Sequence, residues 1–480
     1  MASTKTLNAK NLEALGAERL ASLLIEVATG DAAIKRRLRL ALAGEASPAD
    51  AAREVGKRLA TIARARSFIE WHKVKPLATD LEAQHRAILE LVAPRDPRAA
   101  LDLLWRFAAC GQSVFARSDD GSGRLGEIFR GAAEDIGAIA IAARADPLAL
   151  AEQAFEAVRD DAYGVYDRLV PALAPALGTA GLDRLRDLAR AWQAEPVVIP
   201  PDKEREVIGW GSGGVLYADQ IEASHRTHAS AQLLKDVADA CGDVDAWIAQ
   251  YDAQARRVPA IAARIAERLL AAGRAGEAWA AIEASEAGRG GWIPPEWEQA
   301  RLAVLEALGR HDDAQAFRRE RFETGLDPAH LRAWLGRLPD FEDFDAEQRA
   351  LAHARAFPDV HRALAFLTGW PALDRAAALV VERAAAIDGN LYELLTPAAE
   401  ALEPGYPLAA TILRRAMIDF TLRKARSSRY RHAARHLADC GGMARRIADY
   451  GPLPDHDRYL ASLRADHGRK AGFWRVIDGA

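Results

Sequence analysis

The sequence predicts an all-α protein, with a helical N-terminal domain followed by a tetratricopeptide-like α-solenoid. The first observation behind this is an internal repeat. Leu269, Gly273, Arg274, Glu277 and Ala278 return 36 residues on as Leu305, Gly309, Arg310, Asp313 and Ala314. A helix that stops at Gly and restarts at once, with a small Ala where the second helix crosses the first, describes a stacked hairpin. The second observation is composition: half of the residues are apolar and Ala-rich, with few Tyr, Thr and Phe, which suits helices better than sheets. The third is length. One hydrophobic core stops growing at about 250–300 residues, so a chain of 480 must divide or extend.

Taken in order, Leu12, Leu15, Leu20, Leu23, Leu24 and Val27 lie at helical spacing behind Asn8, an N-cap residue, so an amphipathic helix opens the chain. A second helix over 32–43 sets Ile34, Leu38 and Leu42 on one face amid Lys35, Arg36, Arg37 and Arg39. Ser47-Pro48-Ala49-Asp50 then starts the next. Helices follow near 78–93, 97–109, 124–143, 147–159 and 181–194, punctuated by Pro94, Pro97, Pro147, Pro171 and Pro175.

The pattern breaks between Glu195 and Tyr217. Here Pro196, Pro200 and Pro201 precede the run Gly209-Trp210-Gly211-Ser212-Gly213-Gly214, and Val197, Val198 and Ile199 make the main β-like patch. The segment reads as an exposed, flexible loop. It gives three parts: a helical domain over 1–195, a Pro/Gly-rich linker over 196–217 and a helical-hairpin repeat domain over 218–480. Within the last, Asp245-Ala246-Trp247 is answered 32 residues later by Glu277-Ala278-Trp279. Gly405 with Ala409 and Ala410 is a fainter echo of the hairpin.

Net charge is −4 but unevenly placed. Residues 1–100 carry 17 basic and 12 acidic side chains and residues 400–480 carry 15 and 9, so the ends are +5 and +6 around a middle of −15. Basic ends suit nucleic acid or an acidic partner.

Motifs for phosphate, metal or nucleophile chemistry are incomplete. Gly209, Gly211 and Gly214 match the spacing of a dinucleotide loop, with Asp236 near the offset of its acid. The charged run Lys203-Glu204-Arg205-Glu206 nevertheless stands where the buried strand belongs. Asp119-Asp120-Gly121-Ser122-Gly123 lacks the later carboxylate of a calcium loop and reads as a turn capping a helix. His225 and His228 are three apart without a second ligand pair. Cys110, Cys241 and Cys440 are odd in number and widely spaced, which predicts buried free thiols rather than a zinc set or disulfide framework. No catalytic residue, metal or cofactor is expected. The absence of an apolar leader or long apolar stretch predicts a cytoplasmic protein with no membrane partner.

The densest candidate surface runs from Arg414 to Lys470. Its residues are Arg429, Tyr430, Arg431, His432, Arg435, His436, His467, Arg469 and Lys470, with Arg431/Arg435 and His432/His436 each four apart on one helix. Such a face is either simply solvated or recognises phosphate and carboxylate groups through Arg, with His tuning by pH.

The segment Tyr430 to Leu437, followed by Leu463 to Lys470 and Phe473-Trp474, resembles the C-terminal helical repeat region of bacterial SWIM zinc-finger proteins. It is also similar to a related uncharacterised proteobacterial family that lacks the finger. Leu20 to Leu40 and Asp119 to Arg124 extend the likeness over nearly the whole chain. The resemblance implies helical repeats. It implies no zinc-dependent binding, because the Cys-x-Cys and Cys-x-His pairs of the finger are missing.

These observations predict a non-catalytic helical-repeat scaffold for protein–protein interaction, serving an unknown pathway through an unknown protein partner. The alternatives are a nucleic-acid-binding accessory protein that uses the basic terminal regions, and an unrecognised enzyme.

Overall fold

The computed structural model describes residues 6–196, 199–201, 204–211, 214–287 and 293–478. Val197, Val198, Lys203, Ser212 and Gly213 lie outside the described residues. Among those described, 24 α-helices stand beside one two-stranded hairpin, so the fold is all-α.

The N-terminal helices begin where short polar side chains can take up a free backbone N–H. Asn8, Ser47, Asp96 and Asp146 each accept one from the first turn, and Asp31 accepts two. After Ser47, Asp96 and Asp146 comes a Pro, which has no N–H to leave unpaired. The resulting helices are Ala32–Ala46, Pro48–Arg64, Pro97–Phe115, Arg124–Ala143 and Pro147–Arg159. Asp120 prepares the fourth of these by accepting from the Gly126 N–H at 2.9 Å, so the Asp119–Gly123 segment is a capping turn.

Three expectations change. The opening helix is two, Ala9–Glu13 and Ala17–Ala28, parted at Gly16 with φ +80°, and Leu15, Leu24 and Val27 are exposed rather than buried. The helix expected near 78–93 runs as Trp71–Ala87 and ends in a wide turn over Ile88–Val92. The helix expected over 181–194 is the latter part of Leu169–Ala194, which departs from helical geometry at Gly178.

The described residues of the Gly-rich segment belong to paired strands rather than to an irregular loop. Val207–Gly211 pairs antiparallel with Gly214–Tyr217, Trp210 lying opposite Val215. The Arg205 guanidinium lies 3.8 Å from the Tyr217 ring and pairs with Asp219 at 2.9 Å. The three glycines thus belong to a hairpin rather than to a strand-to-helix phosphate loop.

Nor does the chain divide at this segment. Helix Ala218–Cys241 packs along Leu169–Ala194, with Trp192 edge-on to His225 at 6.2 Å and His225 Nε2 2.9 Å from the Asp161 carbonyl. His228 turns instead to the Ser224 carbonyl of its own helix at 2.7 Å. The compact units part near Ala278. The first holds the described residues up to Glu277 with 283–287, and the second holds Ala278–Ile282 and the residues from Ile293. Pro and Gly break helices, but burial decides where units end.

The repeat read from the sequence is a shared helix end. Pro259–Ala271 stops with the Arg274 N–H bonded to the Leu269 carbonyl at 2.8 Å, and Pro295–Ala307 stops with Arg310 bonded to Leu305 at 2.9 Å. Gly273 and Gly309 supply the left-handed φ of +74° and +68° that this closure requires. Arg274 then clasps Glu277 at 2.6 Å, and Arg310 clasps Asp313 at 2.7 Å. Ala278 and Ala314 are both fully buried.

In the second unit the helices Pro295–Ala307, His311–Gly325, Pro328–Leu335, Glu342–Ala356, Val360–Gly369 and Leu373–Glu382 each pack on neighbours in sequence. This nearest-neighbour burial is the arrangement of a helical solenoid. Tyr392–Leu402, Pro407–Arg423, Tyr430–Met443, His456–His467 and Ala471–Asp478 complete it. Carboxylates tie successive helices: Glu298 takes Arg321 at 2.6 Å and His330 at 2.8 Å, and Glu306 takes Arg318 at 2.7 Å.

Candidate functional site

Pro407–Arg423 is buried on nearly every side, so its two adjacent arginines sit inside the protein, Arg414 4% and Arg415 6% exposed. A buried guanidinium is tolerated only with partners. Arg414 has carboxylates on both sides, Glu403 at 2.6 Å and Asp439 at 3.4 Å. Arg415 has none within ion-pair distance among the described residues. It donates to the Pro454 carbonyl at 2.7 Å and stacks 4.2 Å from the Tyr459 ring.

Arg414 forms the floor of a cavity of about 240 Å³ between Tyr392–Leu402, Pro407–Arg423 and Tyr430–Met443. Tyr392, Thr396, Met417 and Ala433 supply apolar surface, while Glu400, Arg429, Arg435 and His432 bring charged and polar groups. Gly389 closes one side. A Cβ there would overlap the Ala416 carbonyl, so only Gly lets the loop meet the central helix. Arg429 is fixed in place, donating to Asn390 at 3.1 Å with its guanidinium 4.4 Å over the Tyr392 ring.

His436 lines the same cavity with its Nδ1 buried and without a hydrogen-bond partner among the described residues. Burial, reinforced by the Arg414 charge, pushes it down to about 4. It is therefore neutral near pH 7 and can give or take one hydrogen bond there. Behind it, burial pushes the Cys440 thiol up to about 12, which leaves it an inert core group. Cys110 is likewise buried, but Cys241 is exposed, against expectation, and takes a contact from Arg186 at 3.7 Å.

Of the nine residues singled out in the sequence, Arg429, His432, Arg435 and His436 come together in this cavity. The others do not join it. Tyr430 packs edge-on against Phe473 at 6.0 Å, and Arg431 and Arg469 are exposed. His467 faces a second hollow beside Arg415 and Asp419, and its carbonyl accepts from the Trp474 indole at 2.9 Å and the Lys470 N–H at 3.0 Å. Sequence reasoning missed Tyr392, Glu400, Glu403 and Asp439. The first three lie on another helix or its end, and no spacing along one helix points to them.

The arrangement sets Arg414, Arg429 and Arg435 with the carboxylates of Glu400 and Asp439 around a partly apolar interior. Among the described residues no hydroxyl lining it hydrogen-bonds to a histidine. No group of three or more metal-ligating side chains is assembled among the described residues, and no helix there is long and apolar enough to cross a membrane.

No curated protein matches the chain. Among solved structures it is similar to a "Circular tandem repeat protein with novel repeat topology and enhanced subunit contact surfaces", with 14% identity over 95% of this chain and 91% of that one. The TM-score is 0.14, too loose a superposition to bear on fold or function. One family model does match, over residues 2–476, and the chain belongs to that family of unknown function, DUF6880.

Proposed function

We propose that the protein is a non-catalytic helical-repeat scaffold that binds a protein partner through the cavity of its C-terminal unit. The observation that carries this reading is the cavity itself, which Arg429 and Arg435 line together with Tyr392 and Met417 on helices tied through the Arg414–Glu403 ion pair. Repeat folds offer such surfaces without cost to the core. Aromatic and guanidinium groups around a desolvated pocket are the usual anchors of protein interfaces.

A nucleic-acid reading makes a different demand, because phosphate binding depends on summed charge along a face. Arg431 and Arg435 share one helix, yet only Arg435 lines the cavity. Affinity capture from the native organism with full-length Arg431→Glu and Arg435→Glu variants separates the two. The expected result is protein capture that survives nuclease, falls about tenfold with Arg435→Glu and is nearly unchanged with Arg431→Glu. Release by nuclease, or equal loss in both variants, would overturn the proposal.

A further inference from the structure

Pro339-Asp340-Phe341-Glu342-Asp343-Phe344-Asp345 leads into helix Glu342–Ala356, and all seven residues are exposed. Phe341 is 90% exposed and Phe344 63%. Two phenyl rings in water forgo the burial that favours apolar side chains. Phe341 also adopts φ +76°, a left-handed conformation that bulky residues rarely take, within a turn closed by the Glu342 N–H on the Pro339 carbonyl at 3.1 Å. Asp340, Glu342, Asp343 and Asp345 flank the two Phe in sequence, and none is in an ion pair among the described residues. An exposed aromatic held in an unfavourable backbone and flanked in sequence by carboxylates outside any ion pair has the make-up of an interface anchor.

The same chain carries the complement. The cavity is lined by Arg414, Arg429 and Arg435 against Glu400 and Asp439, with His432, Tyr392 and Met417. Residues 400–480, which supply most of its lining, are +6, against −4 on residues 339–345. Its volume of about 240 Å³ exceeds the roughly 150 Å³ that accommodates a benzene ring in a protein interior. We propose that Phe341 of one copy seats in this cavity of a second copy, with the neighbouring carboxylates set against Arg435 and His432. The inference rests on reading the cavity as a protein-binding site. Because knob and socket are different surfaces, the contact is head-to-tail and leaves a free site at each end.

Sedimentation velocity of the full-length protein over a dilution series tests this. The parent should self-associate in a concentration-dependent way that weakens with added salt. The double variant Phe341→Gly/Phe344→Ser and the single variant Arg435→Glu should each weaken association by at least about tenfold. Both sites are exposed, so thermal melts of the variants should lie no lower than that of the parent. Gly is at ease at φ +76°, so the knob variant in particular should not lose stability.

The decisive sample is a mixture of the two variants. One retains its socket and the other its knob, so together they should form a one-to-one dimer that cannot extend, although neither self-associates. A parent that is monomeric at every concentration, or a mixture that stays monomeric, would overturn the inference. If capture of another protein remained sensitive to Arg435→Glu in that case, the cavity would still be a binding site and only self-docking would fall. Association that is indifferent to Arg435→Glu would instead remove the cavity from both readings.

Discussion

His436 shows how packing changes a residue whose neighbours in sequence are easy to read. It stands four residues after His432, which lies exposed on the same helix. Burial and Arg414 lower its folded-state value from the ordinary 6.5 to about 4. Above pH 6.5 the ring is neutral in both folded and unfolded states, so it adds no pH dependence. As pH falls through 6.5 the unfolded chain takes up a proton first, and stability is lost progressively until about pH 4, below which both states are protonated. Urea unfolding of the parent should follow this course. The His436→Gln variant should show a shallower decline between those limits, by up to about one proton. His456, also lowered by burial and by Arg415, contributes to the same decline in both proteins and cancels in the comparison. An identical pH profile in the variant would mean that His436 is not buried as described. The spacing of Arg429, His432, Arg435 and His436 was legible because one helix carries the last three and its preceding turn the first. Their partners Arg414, Glu403 and Tyr392 were not paired with them, since contacts between helices leave no periodic mark in the chain.

At the scale of elements, the helix-ending turn explains both what the sequence disclosed and what it concealed. Gly273 and Gly309 advertise the turn because Gly is the ordinary residue for a left-handed C-terminal position. The same closing bond joins Arg426 N–H to Thr421 at 3.0 Å and Ala145 N–H to Ala140 at 3.0 Å, but there the left-handed residues are Ala425 and Arg144. Without Gly these copies are invisible to a motif search. The strand pair Val207–Gly211 and Gly214–Tyr217 was hidden for the opposite reason, since its glycines suggested a loop while its register is set by strand pairing. A test follows from the backbone alone. A Cβ at Gly273 or Gly309 meets nothing within 4 Å, so Gly→Ala should cost only the left-handed strain, about 1 kcal/mol at each site. Ala425→Gly should do the reverse and gain up to about 1 kcal/mol. Chemical denaturation reads both, and a stabilised Gly273→Ala would contradict the turn geometry.

For the whole molecule, the all-α class was legible from Ala-rich composition and the hairpin repeat, whereas the division into units was not. Pro196, Pro200 and Pro201 interrupt helical structure, yet Trp192 and His225 meet across the interruption and keep both sides in one unit. The proposed role has the stacked helices of the second unit present the cavity beside Arg414 to a protein. Ser428 lines that cavity and is exposed, so a photo-reactive amino acid placed there in the full-length chain reports directly on what enters. After irradiation in the native organism and mass spectrometry, the expected product is a protein adduct that resists nuclease and is lost when Arg435→Glu is added. An adduct to nucleic acid, or protein adducts unaffected by Arg435→Glu, would contradict the account.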